Sequence, residues 1–224
     1  MRYLSLIFAL GLAACSTDSK TEPPVRASAP AAAAKPAPPS DSRHRLVAFG
    51  DSLTAGFGAE PGSSYPDFLQ KLIDERRYPW RVINAGVSGD TTTDGLARLP
   101  GVLDYKPEIV VLELGANDGL RGIPVEATGE NLEQIIQGLQ GAGAKVVLAG
   151  MTLPPNYGPD YIRPFEKIFT GMAAKYKLTL IPFLLASVGG NPALMQRDGL
   201  HPTAEGNRRV AGNVMRVVEP LLKR

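Results

Sequence analysis

Four short stretches of the chain hold the side chains best suited to chemistry: Gly50-Asp51-Ser52-Leu53, Ser88-Gly89-Asp90, Asn117-Asp118 and Asp198-Gly199-Leu200-His201. A serine hydroxyl becomes a useful nucleophile only when a neighbouring base takes its proton, and an imidazole is the usual base. The imidazole in turn needs a third group that fixes its tautomer and stabilises its cation. Asp198 stands three residues before His201, so one turn can bring its carboxylate to Nδ1 while Nε2 faces Ser52. Acyl transfer also needs preorganised donors for a tetrahedral oxyanion. The candidates are the backbone N–H groups of Ser52 and Gly89 and the side-chain amide of Asn117. A glycine at position 89 lets the backbone approach a substrate with no β-carbon in the way.

Each of these residues also has a plainer reading. Ser52 can cap a helix, Gly89 and Asn117 can form turns, and Asp198 with His201 can be a loop ion pair. Asp51 reads as a structural hydrogen-bond acceptor rather than a reacting group. The elements that must position them decide between the readings. Aliphatic and β-branched runs at 46–49, 81–85, 109–114, 145–149 and 179–183 read as strands. Helical patterns lie at 66–76, 93–105, 126–141, 161–176 and 204–222, the last with Val210, Val214, Val217 and Val218 on one face. Strands without polar alternation, each followed by a helix, predict an α/β fold. Its form is a three-layer α/β/α sandwich around a five-stranded, flavodoxin-like parallel sheet. Function in such sheets collects at the carboxyl ends of the strands. The first, second and third strands run into Ser52, Gly89 and Asn117, and His201 precedes the last helix. That convergence favours one acyl-transfer site over several unrelated turns.

The four ordered blocks, spanning 50–202, resemble the GDSL-type or SGNH serine hydrolases. The resemblance assigns the nucleophile to Ser52, the acid–base pair to Asp198 and His201, and the oxyanion donors to Ser52, Gly89 and Asn117. Ser88-Gly89-Asp90-Thr91, Gly95-Leu96-Ala97-Arg98-Leu99, Glu113-Leu114-Gly115 and Asn117-Asp118-Gly119-Leu120-Arg121-Gly122 are similar to bacterial periplasmic esterases with thioesterase, arylesterase and lysophospholipase activities. The resemblance implies hydrolysis of acyl, aryl or lysophospholipid-type esters, and of thioesters, through an acyl-enzyme. A carbohydrate O-acetylesterase is the alternative that shares the same residues. No cofactor is implied and no metal-ligand spacing occurs. Residues 119–124, with Leu120, Arg121 and Ile123, read as a mobile substrate loop, and 151–164 as a wall of the acyl pocket.

Ahead of this domain, taken as 44–224, lie two different pieces. Residues 1–14 read as a lipoprotein signal peptide: one basic residue, then an apolar run too short to cross a bilayer. Leu12-Ala13-Ala14-Cys15 resembles a bacterial lipoprotein cleavage box, with Cys15 the lipidated residue. Residues 16–43, with six prolines and seven alanines, read as a disordered, semi-extended spacer that together with Cys15 makes up 15–43. The expected location is the cell envelope, anchored by lipid to the outer membrane and facing the periplasm, and the expected state is a monomer. The whole chain of 224 residues carries 24 basic and 22 acidic side chains, but residues 1–43 hold five and three of these, leaving 19 of each. A neutral domain gives no electrostatic case for a nucleic-acid partner. One cysteine excludes an internal disulfide. Of the two histidines, His44 at the edge of the spacer is expected in solvent, which leaves His201 for acid–base work.

Overall fold

Aliphatic runs that lack a polar face become strands only if both faces of their sheet are covered. The computed structural model, which describes residues 41–224, arranges them in that way. Strands β1 (His44–Gly50), β2 (Trp80–Gly86), β3 (Ile109–Glu113), β4 (Lys145–Ala149) and β5 (Thr179–Ile181) form one parallel sheet in the order β2-β1-β3-β4-β5. Leu46, Val47, Ala48 and Phe49 of β1 are fully buried, as are Val110, Val111 and Leu112 of β3 and Val147 and Leu148 of β4. These side chains are the core.

Helices α1 (Ser52–Ala55) and α2 (Tyr65–Glu75) follow β1, α3 (Thr92–Leu103) follows β2, and α4 (Ala116–Leu120) and α5 (Val125–Gly141) follow β3. Helix α6 (Pro159–Tyr176) follows β4, and α7 (Ala204–Val218) closes the fold. Helix α2 packs on α7, whereas α3 packs on α5 and α5 on α6. Right-handed crossovers put these two groups on opposite faces of the sheet. Local signals start the helices: Ser64 with Asp67, and Thr91 with Asp94, form reciprocal capping boxes, and Thr203 caps α7 through the Gly206 N–H.

Among the predicted elements that end early, two have a clear cause. The fifth strand stops at Ile181 because Pro182 has no N–H to continue the ladder. The last helix stops at Val218, where Pro220 turns the chain into a 3-10 turn over Glu219–Leu221. Ahead of β1, the Asp41 carboxylate pairs with Arg43 and Arg81. His44 opens β1 rather than standing in solvent. Its Nδ1 lies 2.5 Å from Glu108 Oε1 and its ring leans on Trp80, at the sheet edge opposite the strand ends that matter below. Cys15, the signal segment and the spacer up to residue 40 lie outside the described residues.

The chain leaves β1 toward β2 and then returns to the other side of β1 to form β3. Adjacent crossovers therefore diverge above the carboxyl ends of β1 and β3, and a crevice opens there.

Candidate active site

The turn that carries Ser52 is built from β1. The Asp51 side chain accepts from the Leu53 N–H at 3.0 Å and so caps α1, of which Ser52 is the first residue. Glu113, the last residue of β3, reaches across: its Oε2 accepts from the Asp51 N–H at 3.2 Å and from the Thr54 hydroxyl at 2.8 Å. Gly50 and Gly86 are needed for close approach. A β-carbon on the first would overlap Thr54 and Glu113, and one on the second would overlap the α1 main chain at Ala55.

Asp198 and His201 meet Ser52 as their spacing predicts. His201 Nε2 lies 2.9 Å from Ser52 Oγ, and His201 Nδ1 lies 2.7 Å from Asp198 Oδ2. The other carboxylate oxygen, Oδ1, accepts from the N–H groups of Leu200 at 2.9 Å and His201 at 3.0 Å, which shapes the loop that presents the ring. Partial burial raises the Asp198 carboxyl, but these hydrogen bonds outweigh it and bring the group down to about 2. Asp198 is therefore ionised and able to stabilise an imidazolium. Two residues not anticipated from sequence help to hold the ring. Phe57 lies against it with ring centroids 4.7 Å apart. Gln196 Nε2 donates to the carbonyls of Phe57 at 2.7 Å and Pro202 at 2.9 Å, tying the segment after α1 to the histidine loop.

The candidate oxyanion donors line the same cleft as Ser52 and His201. Gly89 adopts φ of 88°, which explains a glycine there. The Ser52 and Gly89 N–H groups donate to no acceptor among the described residues. Asn117 is already engaged. Its Nδ2 donates to Asp51 Oδ2 at 3.1 Å and to the Asp90 carbonyl at 3.0 Å, so both hydrogens are engaged at rest. Arg98 fixes this corner by pairing with Asp90 and donating to the carbonyls of Ala85 and Gly50, each at 2.7 Å. Burial raises the Asp51 carboxyl to about 6 and pushes Glu113, which Asp51 also opposes, well above the ordinary range.

The cleft has a volume of about 660 Å³, within the range of small-molecule sites. Its walls are mainly apolar, with Leu120, Met151, Leu153, Pro154, Phe183, Leu185 and Met195 prominent. Of the expected wall 151–164, only residues 151–155 line the cleft. The proposed substrate loop needs correcting: Leu120 lines the cleft, whereas Arg121 and Ile123 do not. Arg121 donates to the Gly89 carbonyl at 2.8 Å, and the hydroxyls of Tyr157 and Tyr161 fasten the carbonyls of Leu120 and Ile123. Among the described residues no group of three or more His, Cys, Asp or Glu is placed to hold a metal ion.

The arrangement can carry out acyl transfer, and comparison with known proteins agrees. Residues 48–209 match the model of the GDSL-like lipase/acylhydrolase family. The chain belongs to this family. As a GDSL-like acylhydrolase it is a carboxylic ester hydrolase, and its relatives carry matching names. It is 44% identical over 178 residues to the esterase TesA of Pseudomonas aeruginosa, covering 79% of this chain and 89% of that protein. It is 41% identical to an arylesterase of Vibrio mimicus, covering 77% of this chain and 86% of the relative. To the thioesterase 1/protease 1/lysophospholipase L1 of Escherichia coli it is 37% identical, covering 79% and 84%. A crystal structure of TesA shares the GDSL-like fold with a TM-score of 0.77 at 44% identity, covering 80% of this chain and all of that one.

Proposed function

We propose that the chain hydrolyses esters through an acyl-Ser52 intermediate, with His201 as the base and Asp198 as its orienting partner. The observation that carries this reading is the continuous relay from Asp198 through His201 to Ser52, at 2.7 and 2.9 Å, beside two uncommitted backbone N–H groups. His201 Nε2 takes the Ser52 proton as Oγ attacks the acyl carbon. The carbonyl oxygen becomes an oxyanion facing the N–H groups of Ser52 and Gly89. Asn117 joins them by exchanging one of its two resting hydrogen bonds for the oxyanion. The imidazolium then protonates the departing alcohol or thiol, leaving the acyl-enzyme. Water gives a proton to the same nitrogen and attacks the acyl carbon. The second tetrahedral intermediate collapses to the carboxylic acid as His201 returns the proton to Ser52.

The apolar walls supply binding for an acyl chain and few partners for sugar hydroxyls. They support acyl esters and thioesters, aryl esters and lysophospholipid-type substrates over O-acetylated carbohydrate. The cleavage-box resemblance at Leu12-Ala13-Ala14-Cys15 supports a lipid-anchored enzyme at the outer membrane. Ser52→Ala tests the mechanism. Its kcat on a soluble p-nitrophenyl ester should fall on the order of 10⁴-fold or more with the fold intact, and a fluorophosphonate should label the parent but not the variant. Parental turnover by the variant would rule the acyl-serine route out.

A further inference from the structure

Two buried carboxyls lie beneath the nucleophile, and no step of the mechanism uses Glu113. It is fully buried at the end of β3. A single oxygen, Oε2, accepts from the Asp51 N–H at 3.2 Å and from the Thr54 hydroxyl at 2.8 Å, so it holds the chain on both sides of Ser52. The Thr54 hydroxyl is also 3.3 Å from that of Tyr65, which extends the connection to α2. The other oxygen, Oε1, has no hydrogen-bond partner among the described residues. An ionised Glu113 would leave a charged oxygen unpaired in an apolar interior beside the Asp51 carboxyl, which is itself 1% exposed. A buried, unpaired charge costs far more than a neutral acid with one unpaired hydroxyl. Asp51 is the better placed of the two to carry charge, since it accepts from the Leu53 N–H and the Asn117 amide.

We propose that Glu113 is a positioning residue for the nucleophile and holds the Ser52 turn in place as a neutral acid. The inference rests on Ser52 being the nucleophile. Burial, followed by the opposing Asp51, pushes the Glu113 carboxyl well above its ordinary range, in agreement with the geometry. The titratable groups facing the pair are Tyr65 from α2, Asp90 from the loop after β2, and His201 from the C-terminal loop. The guanidinium of Arg98 is committed to Asp90 and to backbone carbonyls.

Glutamine at this position retains an oxygen for both donors and has no charge to lose. Alanine leaves the Asp51 N–H and the Thr54 hydroxyl without their acceptor, and the turn is free to shift. A displacement of about 1 Å at a reacting atom can cost on the order of 10²-fold in rate. The loss should fall on kcat rather than KM, because Glu113 is not among the residues lining the cleft. The pH dependence has a definite sign. A carboxyl held protonated in the folded chain ionises in the unfolded chain above its ordinary value of 4.5. The parent therefore loses stability as pH rises above that value, and Glu113→Gln does not.

The test uses the full chain carrying Glu113→Ala or Glu113→Gln. It measures kcat and KM on a soluble short-chain ester, the rate of fluorophosphonate labelling at Ser52, and thermal midpoints from acid to neutral pH. The expected result is a kcat and labelling rate reduced on the order of 10²-fold in the alanine variant and restored by glutamine. The thermal midpoint of the glutamine variant should also gain on the parent as pH rises. A glutamine variant as slow as the alanine one, or an alanine variant that labels and turns over like the parent, overturns the proposal. If the alanine variant does not fold, glutamine decides alone: parental kcat with the growing midpoint advantage supports the proposal, and a tenfold or greater loss overturns it. Failure of the parent itself to label at Ser52 would instead refute the acyl-serine mechanism, and the midpoint comparison is independent of that outcome.

Discussion

Replacing Asp198 by Asn isolates the charge that the relay depends on. Two of the three hydrogen bonds that Asp198 accepts come from the Leu200 and His201 N–H groups and end on Oδ1; the third comes from His201 Nδ1 to Oδ2. Asparagine keeps the first oxygen and puts an NH₂ group opposite the ring. Nδ1 must then accept rather than donate, which moves the ring proton to Nε2, where it blocks removal of the Ser52 proton. Loss of a charge-assisted hydrogen bond is worth about 1.5–3 kcal/mol, or roughly one to two powers of ten in rate. The wrong tautomer adds to this, and in a well-buried triad the sum reaches about 10⁴. The Asp198 side chain is 38% exposed, so water screens the charge and solvates part of the imidazolium. We expect kcat to fall on the order of 10²- to 10³-fold, with KM unchanged and the thermal midpoint at neutral pH modestly lowered, since solvent screens the lost charge. Initial rates on a soluble p-nitrophenyl ester, with thermal unfolding alongside, measure both. The acid side has its own sign. A carboxyl held down to about 2 stabilises the fold above its ordinary value of 3.8, and that contribution disappears as pH falls toward 2. The asparagine variant should lack this stretch of acid sensitivity. Turnover at the parental rate would remove Asp198 from the relay.

Gly86→Ala places a methyl group against the α1 main chain at Ala55, which cannot rotate away. It should cost about 1–3 kcal/mol of stability and lower kcat by shifting Ser52; parental values of both would refute the packing argument. With p-nitrophenyl esters from acetyl to decanoyl, kcat/KM should rise with chain length as methylenes enter the apolar cleft. Restriction to acetyl would favour the carbohydrate reading. Cys15→Ala should move the protein from the membrane to the soluble fraction of a bacterial host, and persistent membrane association would sink the lipid-anchor reading.

The sheet was legible because the strands are continuous aliphatic runs, a pattern that only a sheet covered on both faces can bury. The short helices α1 and α4, of four and five residues, were not, because neither is long enough to display a helical period. The fifth aliphatic run continues to Phe183, but Pro182, a stop signal present in the sequence, ends the strand at Ile181. The relay was legible because Asp198 and His201 share one loop and each block follows a recognisable strand or precedes a recognisable helix. The residues that fix the relay were not. Glu113 acts on Asp51 across 62 positions, Arg98 on Gly50 across 48, and Gln196 on Phe57 across 139. Pairings that distant leave no local spacing to read. Arg121 is hidden for the same reason: its neighbours suggest a substrate loop, but its partner is Gly89, 32 residues earlier.

These distant contacts also explain how an active site assembled from loops attains the precision that acyl transfer requires. Loops alone would lose reactive geometry to conformational freedom, since a small displacement of a reacting group costs orders of magnitude in rate. The loops that carry Asp90, Asn117 and His201 are joined by side chains to Gly50, to Asp51, or to Ser52 and the segment just after it. Glu113 ties the third strand to the Ser52 turn, and Arg98 ties Gly50 to the end of the second strand and to Asp90. Asn117 spans Asp51 and Asp90, and Gln196 links Phe57 to the histidine loop. The Ser52 turn is thus the common reference for the other three blocks. In the proposed mechanism Asn117, as an oxyanion donor, can then exchange one resting partner for the substrate while the second partner keeps it in place. On this reasoning the engaged amide is a preorganised donor rather than an occupied one, because the bond to the Asp90 carbonyl can persist when the bond to Asp51 is given up.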